Sequence, residues 1–311
     1  MRVSTAFNRL LGLEGASVEA VAFANEGIVV SLRLRRRRRT CSRCGQLVAV
    51  THDTTRRRWR HLDLGGTRCF LEASLRRVRC PDCGVRVEAV AFARAGARHT
   101  RAFEQLVAWL AQQLAKTALQ RLLRIGWRTV GRICARVVRE RLAGDRFEGL
   151  RRIGIDEVSY RRGHRYLTLV LDHDSGRVVW ARRGRGRRRA WTASWLRSGA
   201  SGPAGSKPSR STRALYRLPD PGQAPALFEA WLEAARGSGR VHFQRLAATL
   251  ERFRTGILAA VELGLSNGRL EGLNSKVRLL SHRSFGFHSA EPLIALVYLC
   301  CGGLQLELPL R

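Results

Sequence analysis

Two short cysteine motifs constrain this chain more than any other feature. The segments 41–45 and 80–84 both have the pattern Cys-x-x-Cys-Gly, and 35 residues separate the two pairs. Each pair places two thiolates on one tight turn, where the glycine relieves the backbone. Four thiolates complete the tetrahedral shell of a structural zinc ion. The spacing therefore predicts that Zn²⁺ is bound by Cys41, Cys44, Cys80 and Cys83, and it disfavours the alternative of four unrelated buried cysteines.

The remaining features of the N-terminal region set the expected compartment. His52 and His61 lie between the motifs, and we expect them at the surface rather than among the metal ligands. No run of 18 or more apolar residues predicts a membrane span, and residues 1–40 lack the apolar core and cleavage site of a signal peptide. We therefore expect a cytoplasmic protein, in which Cys-x-x-Cys pairs bind metal rather than form disulfides.

The chain carries a large excess of positive charge. It has 57 Lys and Arg residues against 24 Asp and Glu, which gives a net charge of +33. Nucleic acid is the usual polyanion that neutralises such a surplus, so we predict it as the partner over a membrane or an acidic protein. Nearly all of the cations are arginine, and GC-rich coding inflates arginine without selection for binding. Part of the excess is open to that explanation.

Helical periodicity begins near residue 100 and contains a candidate helix-turn-helix. One helix is predicted up to Arg124, a turn at Ile125-Gly126, and a second helix from Trp127 to Arg139. We expect its small core to be formed by Leu122, Val130, Ile133 and Val137. A basic face for DNA, in the major groove or on its phosphates, would be formed by Arg128, Arg132 and Arg136 together with Lys116. A plain helical hairpin with a solvated basic face is the alternative.

Residues 151–183 change to strand periodicity. The segments 153–158, 166–171 and 177–181 alternate with turns at Gly163 and Ser175-Gly176, which predicts a three-stranded meander. Asp156 lies in the middle of the first strand, where a carboxylate is costly unless it is paired or metal-bound. Glu157 must point to the opposite face of that strand.

The next segment breaks this pattern. No Asp or Glu occurs between Ser175 and Pro219, whereas twelve residues there are Arg or Lys. Arginine, glycine, serine and proline dominate it, and no helical or strand period is present. We therefore expect residues 184–221 to be disordered.

Helical patterning returns from residue 222, and one of these helices contains a second acidic candidate. This helix follows a cap at Ser266 or Asn267. Its predicted apolar stripe is Leu270, Leu273, Val277 and Leu280. Its adjacent polar stripe, which could face a site, is Glu271, Asn274 and Arg278. A capped helix with a surface glutamate is the alternative reading of the same residues.

These motifs, in this order, resemble the ISL3 family of bacterial insertion-sequence transposases. The matching stretches are 41–45, 59–66, 80–84, 116–138, 153–157 and 265–303. The resemblance implies a DNA transposase that binds terminal inverted repeats and has a catalytic domain similar to ribonuclease H. In that domain three carboxylates, a DDE triad, hold two Mg²⁺ or Mn²⁺ ions. The motif match assigns Asp156 as the first carboxylate and Glu271 as the last.

The resemblance also implies a second aspartate at the end of a later apolar strand, and that strand is missing here. Asp220 lies between two prolines in a turn-like setting, which is unsuited to a central strand. Asp172 and Asp174 end the second strand of the meander, in a predicted turn. An internal deletion with a shifted reading frame would explain both the short chain and the unusual composition. We therefore expect an incomplete sheet and little or no strand transfer.

The whole sequence predicts a multidomain chain of the α+β or α/β class. We expect a zinc-binding domain over residues 1–95, a helix-turn-helix domain over 96–148 and the first part of the catalytic domain over 149–183. The aberrant segment over 184–221 and the helical end of the catalytic domain over 222–311 follow. Three hypotheses remain: an active transposase, a defective one that still binds DNA, and a zinc-ribbon adaptor without enzymatic ancestry. We favour the second, and a homo-oligomer remains open.

Overall fold

The computed structural model describes residues 2–35, 39–142, 144–161, 163, 165–184, 218, 220–239, 241–265, 268–284 and 286–309. Most of the segment predicted to be disordered, 185–217, lies outside the described residues, as do the predicted cap residues Ser266 and Asn267. The chain forms two compact units, residues 1–110 with 306–311 and residues 111–305. The helix-turn-helix and the catalytic part, predicted as separate domains, lie within the second unit.

The first unit is built around a mixed sheet. Its described elements are α1 (Val3–Leu11), β1 (Ala16–Ala24), β2 (Gly27–Leu34), β3 (Arg39–Thr40), β4 (Leu47–Val48), β5 (Thr51–Leu64), β6 (Thr67–Cys80), β7 (Gly84–Val87) and the start of α2 (Arg101–Gln113). The strand order is β1-β2-β6-β5, and β7 pairs with β6. Strand β2 is parallel to β6, whereas β5 and β7 are antiparallel to it.

The β5–β6 hairpin is the longest feature of this sheet, with 14 residues in each strand. Gly65 and Gly66 form its turn with φ of +56° and +81°, backbone angles that residues other than glycine rarely adopt. Leu71 and Trp59 point into the core, and the ring of Trp59 meets that of Phe92 edge-on at 5.2 Å between centroids. The second cysteine motif follows directly from this hairpin, since β6 ends at Cys80 and β7 begins at Gly84.

The second unit combines helices with a small sheet. Its elements are the end of α2, then α3 (Lys116–Leu123), α4 (Trp127–Arg141), β8 (Ile153–Arg161), β9 (Arg165–Asp172), β10 (Val178–Arg183), a 3₁₀ turn (Pro221–Gln223), α5 (Ala224–Gly237), α6 (Val241–Arg252), α7 (Arg254–Glu262), α8 (Gly268–Arg283) and α9 (Ala290–Cys301). Helices α5, α6 and α7 pack around Phe228 and Leu232, which are fully buried.

The predicted meander is confirmed. Strands β8, β9 and β10 form an antiparallel sheet in the order β10-β9-β8. Helix α8 packs on β8, and α9 packs on β10 and α4. Gly154 permits the first of these contacts, since a Cβ there would lie 2.7 Å from His173 Nε2 and 3.0 Å from the Leu270 side chain. The predicted apolar stripe of α8 is also confirmed, since its four members are buried.

The helix-turn-helix is confirmed with one correction to its core. Helices α3 and α4 are joined through Arg124, which takes the left-handed conformation with φ of +54°. Leu122, predicted as a core residue, is 58% exposed. The buried face of α3 is instead formed by Leu119 and Leu123, because these two are one helical turn apart and Leu122 points about 100° away from Leu123.

Candidate functional site

The four motif cysteines converge as predicted. The Sγ atoms of Cys41, Cys44, Cys80 and Cys83 all lie within 4.8 Å of one another, and those of Cys44 and Cys80 are 3.6 Å apart. Zn–S bonds of about 2.3 Å in a tetrahedron place sulfurs about 3.8 Å apart, so the cluster has the size of a zinc shell. Both motif glycines have positive φ, +77° at Gly45 and +70° at Gly84. The cluster is a structural zinc site.

The electrostatics of the cluster favour a bound cation. Although burial opposes it, backbone N–H groups of Cys44 and Arg43 donate to Cys41 and lower its pKa to about 7. Desolvation and the neighbouring thiols raise the pKa of Cys83 to about 12. Four thiolates side by side repel one another, and the positive charge of a divalent ion offsets that repulsion, so that metal binding releases the protons of the thiols.

One histidine between the motifs departs from the sequence prediction. His61 lies on β5 and is buried. Its Nδ1 lies 2.9 Å from Oγ1 of Thr100. Desolvation lowers the pKa of His61 to about 4, so the ring is neutral near pH 7. The prediction of a surface position is wrong for His61, whereas His52 is exposed. Neither histidine joins the cysteine cluster.

Helix α4 has a basic outer face and an apolar inner face. Arg128 and Arg132 are exposed, and Arg136 is partly buried. On the other side Ile133 is fully buried, and Gly131 allows close packing against α9, since a Cβ there would lie 3.2 Å from Pro292 Cβ. The arginine spacing and this packing together leave one face of α4 open to a polyanion.

Lys116 does not belong to that face. Only 5% of its surface is exposed, and its ammonium lies 4.4 Å from the ring centroid of Trp127 and 5.3 Å from that of Phe287. Desolvation lowers its pKa to about 8. The sequence prediction placed Lys116 against DNA, but its burial between two aromatic rings gives it a packing role at the start of α3.

The acidic site begins at Asp156 in the centre of the β8 strand. Its Oδ1 accepts a hydrogen bond of 2.7 Å from the backbone N–H of Glu157, and its Oδ2 accepts one of 2.5 Å from Asn274 Nδ2. Glu157 points to the other face of the sheet, as predicted, where it accepts a hydrogen bond of 3.2 Å from Thr168. The costly mid-strand carboxylate of Asp156 is therefore satisfied by α8.

Helix α8 brings its predicted polar stripe to this carboxylate. Glu271 lies in the first turn of α8 and is exposed, one turn before Asn274. Asn274 is the member of the stripe that contacts Asp156, and the residue pattern alone did not distinguish it from Glu271 and Arg278. Its Oδ1 is buried without a hydrogen-bond partner among the described residues.

The other acidic residues considered from the sequence have different partners. Asp172 accepts hydrogen bonds from the backbone of Asp174 and Ser175, and Asp174 is paired with Arg152 at 2.7 Å. Asp220 caps the 3₁₀ turn by accepting from Gly222 N at 2.9 Å. Asp172 and Asp220 therefore stabilise turns, as their sequence positions indicated, whereas the carboxylate of Asp174 forms an ion pair.

The chemistry of the donors near Asp156 decides which ions they fit. All 24 Asp and Glu residues of the sequence lie within the described part of the chain. Among the described residues, the cysteine cluster is the only group of three or more acidic, histidine or cysteine ligands. The orphaned buried oxygen of Asn274 beside Asp156 fits one hard cation such as Mg²⁺. These donors do not fit the two ions of a DDE triad.

Zinc ribbon, helix-turn-helix and acidic strand, in this order, define a DNA transposase of the DDE class, and family profiles match each part. The zinc-finger of transposase IS204/IS1001/IS1096/IS1165 matches residues 37–83. The helix-turn-helix domain of transposase family ISL3 matches residues 88–138. The ISL3 DDE transposase domain matches residues 153–201 and 209–297, with a break inside the acid-free stretch.

Curated relatives give the same answer. The transposase for insertion sequence element IS1557 of Mycobacterium tuberculosis is 33% identical over 438 residues, which cover 100% of this chain and 98% of that protein. The transposase for IS1001 of Bordetella parapertussis is 30% identical over 183 residues, or 58% of this chain and 45% of that protein. No solved structure matches this chain. The chain belongs to the ISL3 family of insertion-sequence transposases.

Family membership decides two expectations from the sequence. The predicted resemblance is confirmed, and the hypothesis of an adaptor without transposase ancestry is wrong. Because the alignment with the IS1557 relative extends over 438 positions and this chain has 311 residues, at least 127 positions have no counterpart here.

Within the described residues, no helix combines the length and apolar character that a membrane span requires.

Proposed function

We propose that this chain is a cytoplasmic transposase that binds the terminal inverted repeats of its insertion sequence but does not cut or join them. The zinc ribbon and helix α4 would bind the DNA, and the remaining acidic site would be insufficient for strand transfer. This is the second of the hypotheses raised from the sequence, and it treats binding and chemistry as separable properties.

The binding part is supported by the open face of α4. Arg128 and Arg132 are exposed one turn apart, while Ile133 and Val137 on the opposite side are buried. Arginine at such positions donates to guanine edges in the major groove or to phosphates. The net charge of +33 adds a sequence-independent attraction that weakens with salt.

One observation carries the proposed loss of chemistry. Among the described residues, no third carboxylate lies beside Asp156 and α8. The described residues contain every acidic residue of the chain. Two-metal phosphodiester chemistry needs ligands that hold both ions, one for the attacking and one for the leaving oxygen. The positions without counterpart in the alignment with the IS1557 relative would include the strand that ends in the second aspartate.

Binding and cutting can be tested in the same samples. A labelled duplex with the inverted repeats that flank this gene is titrated with zinc-loaded protein, and a scrambled duplex competes. We expect repeat DNA to be retained against the competitor, and no nicked product after Mg²⁺ or Mn²⁺ is added. Equal competition by scrambled DNA would remove the specific-binding part, and nicking that depends on Asp156 would remove the defective part.

A further inference from the structure

The side chain of Asn274 is the feature of the acidic site that the DDE assignment leaves unexplained. It lies on the polar stripe of α8, three residues after Glu271, so the two side chains are neighbours on one helix face. Its amide nitrogen donates to Asp156 at 2.5 Å, which fixes the orientation of the amide group. Its Oδ1 is buried and accepts no hydrogen bond from any described residue.

A buried acceptor without a partner is destabilising, because it has lost its hydrogen bonds to water, so its retention needs a reason. Oδ1 belongs to the same amide group as the Nδ2 that donates to Asp156, so this orphan oxygen lies close to a carboxylate. A cation at Oδ1 would give this oxygen the electropositive partner that it lacks, with a negative charge nearby. Carboxylate and amide oxygens are hard ligands, which suit Mg²⁺, Mn²⁺ or Ca²⁺ better than softer metals.

We propose that Asn274 is an oxygen ligand, through Oδ1, of a single divalent cation that this chain holds with Asp156. Glu271, one turn earlier on the same stripe, supplies the second negative charge of the site. The inference rests on the assignment of Asp156 as a metal-binding carboxylate in the proposed function. It adds that the cation site depends on an amide that is not part of the DDE triad, and that one ion is bound where an intact triad binds two.

The hydrogen bond to Asp156 gives Asn274 a second effect. A carboxylate that accepts from both Glu157 N–H and Asn274 Nδ2 is fixed in orientation before any ion arrives. Partners of this kind change metal affinity by about 10–100-fold when they are removed. Both effects, direct ligation and orientation, weaken cation binding when the amide is replaced by an apolar group of similar size.

The test measures Mn²⁺ binding to the full-length, zinc-loaded protein without DNA, by electron paramagnetic resonance of free Mn²⁺ and by calorimetry. We expect one Mn²⁺ per chain in addition to zinc, and none in Asp156→Asn. Asn274→Leu should weaken binding about tenfold or more, whereas Asn274→Asp, which keeps an oxygen ligand but loses the donor to Asp156, should bind more tightly than Asn274→Leu. Leu279→Ala, 63% exposed on the same helix, is the matched control and should leave affinity unchanged.

Folding and function are read separately. Far-ultraviolet circular dichroism and zinc content establish that each variant is folded, and affinity for repeat DNA should be the same for Asn274→Leu as for the natural protein. Unchanged Mn²⁺ affinity in folded Asn274→Leu would overturn the proposal. If Asn274→Leu does not fold, Asn274→Ala takes its place, and unchanged Mn²⁺ affinity in folded Asn274→Ala overturns the proposal. Loss of repeat binding in the natural protein would count against the proposed function alone.

Discussion

Asp156 and Asn274 are 118 residues apart in the sequence, yet the amide of Asn274 donates a 2.5 Å hydrogen bond to the carboxylate of Asp156. The pair joins strand β8 to helix α8 across the segment that has no acidic residue. The first strand of the meander therefore meets the helix that contains Glu271. Among the described residues, no group of three acidic ligands forms at this junction.

The exposed arginines of α4 should control recognition of repeat DNA. If the arginine contacts a guanine, Arg128→Ala and Arg132→Ala should each weaken repeat binding by about 1–3 kcal/mol. If it contacts a phosphate, each should reduce the slope of log affinity against log salt concentration by about one. Fluorescence anisotropy over a salt series measures both. Arg245→Ala removes the same charge from the exposed face of α6 and serves as the control. An equal effect of all three variants would show that only net charge matters.

Lys116 should be dispensable for DNA binding. Its ammonium is buried between Trp127 and Phe287, so Lys116→Met is expected to keep the repeat affinity of the natural protein. Stability should respond to pH instead. The lowered pKa, about 8 in the folded protein against 10.5 in the unfolded chain, means that only the unfolded chain holds the proton between these values. Stability of the natural protein should therefore rise from pH 8 to 10.5 through this residue.

Urea unfolding of both proteins across this pH range measures the effect. The natural protein should gain unfolding free energy relative to Lys116→Met as pH rises from 8 to 10.5, because only the natural protein carries this titrating group. A pH-independent difference, or a loss of repeat binding as large as that of Arg128→Ala, would contradict the buried position of Lys116.

His61 should make the first unit sensitive to acid. Its folded pKa of about 4 lies below the ordinary 6.5, so its contribution is complete above pH 6.5 and is lost as pH falls towards 4. The shift corresponds to about 3 kcal/mol. Replacing it, as in His61→Gln, removes this titration and should flatten the decline in stability between pH 6.5 and 4. Exposed His52→Gln should follow the natural protein, and an unchanged decline in His61→Gln would refute the assignment.

The zinc cluster should govern the stability of the first unit. Cys80→Ser removes one ligand from a cluster whose four Sγ atoms lie within 4.8 Å. Zinc content should fall from one ion per chain towards zero, and the melting temperature should drop, because a structural zinc contributes directly to folding. Cys300→Ser, outside the cluster, is the control. Full zinc content in Cys80→Ser would mean that the thiolates are not the ligands.

Local patterns in the sequence predicted much of the fold. The cysteine spacing identified the metal cluster, and three- and four-residue periodicity placed the buried stripe of α8, of which Leu273 is a member. These features are determined by contacts within a few residues or by a single metal. Period-two alternation likewise identified the meander around Leu169.

Long-range packing explains what the sequence did not predict. His61 and Lys116 are polar, and the sequence alone could not show that Thr100 and Trp127 would cover them. The contact between Asn274 and Asp156 depends on how α8 lies on β8, which Gly154 permits by leaving room for Leu270. A motif spacing names candidates on one helix face, but only the packed structure selects the member that meets the carboxylate.

The most direct test of the central claim is single-turnover cleavage of repeat DNA by the natural protein and by Asp156→Ala, at saturating protein with Mg²⁺ or Mn²⁺, after DNA binding by both is established. A metal-dependent endonuclease that nicks the same duplex provides the positive control for detection. We predict that neither protein produces nicked or joined DNA. Metal-dependent nicking by the natural protein that Asp156→Ala abolishes would contradict it.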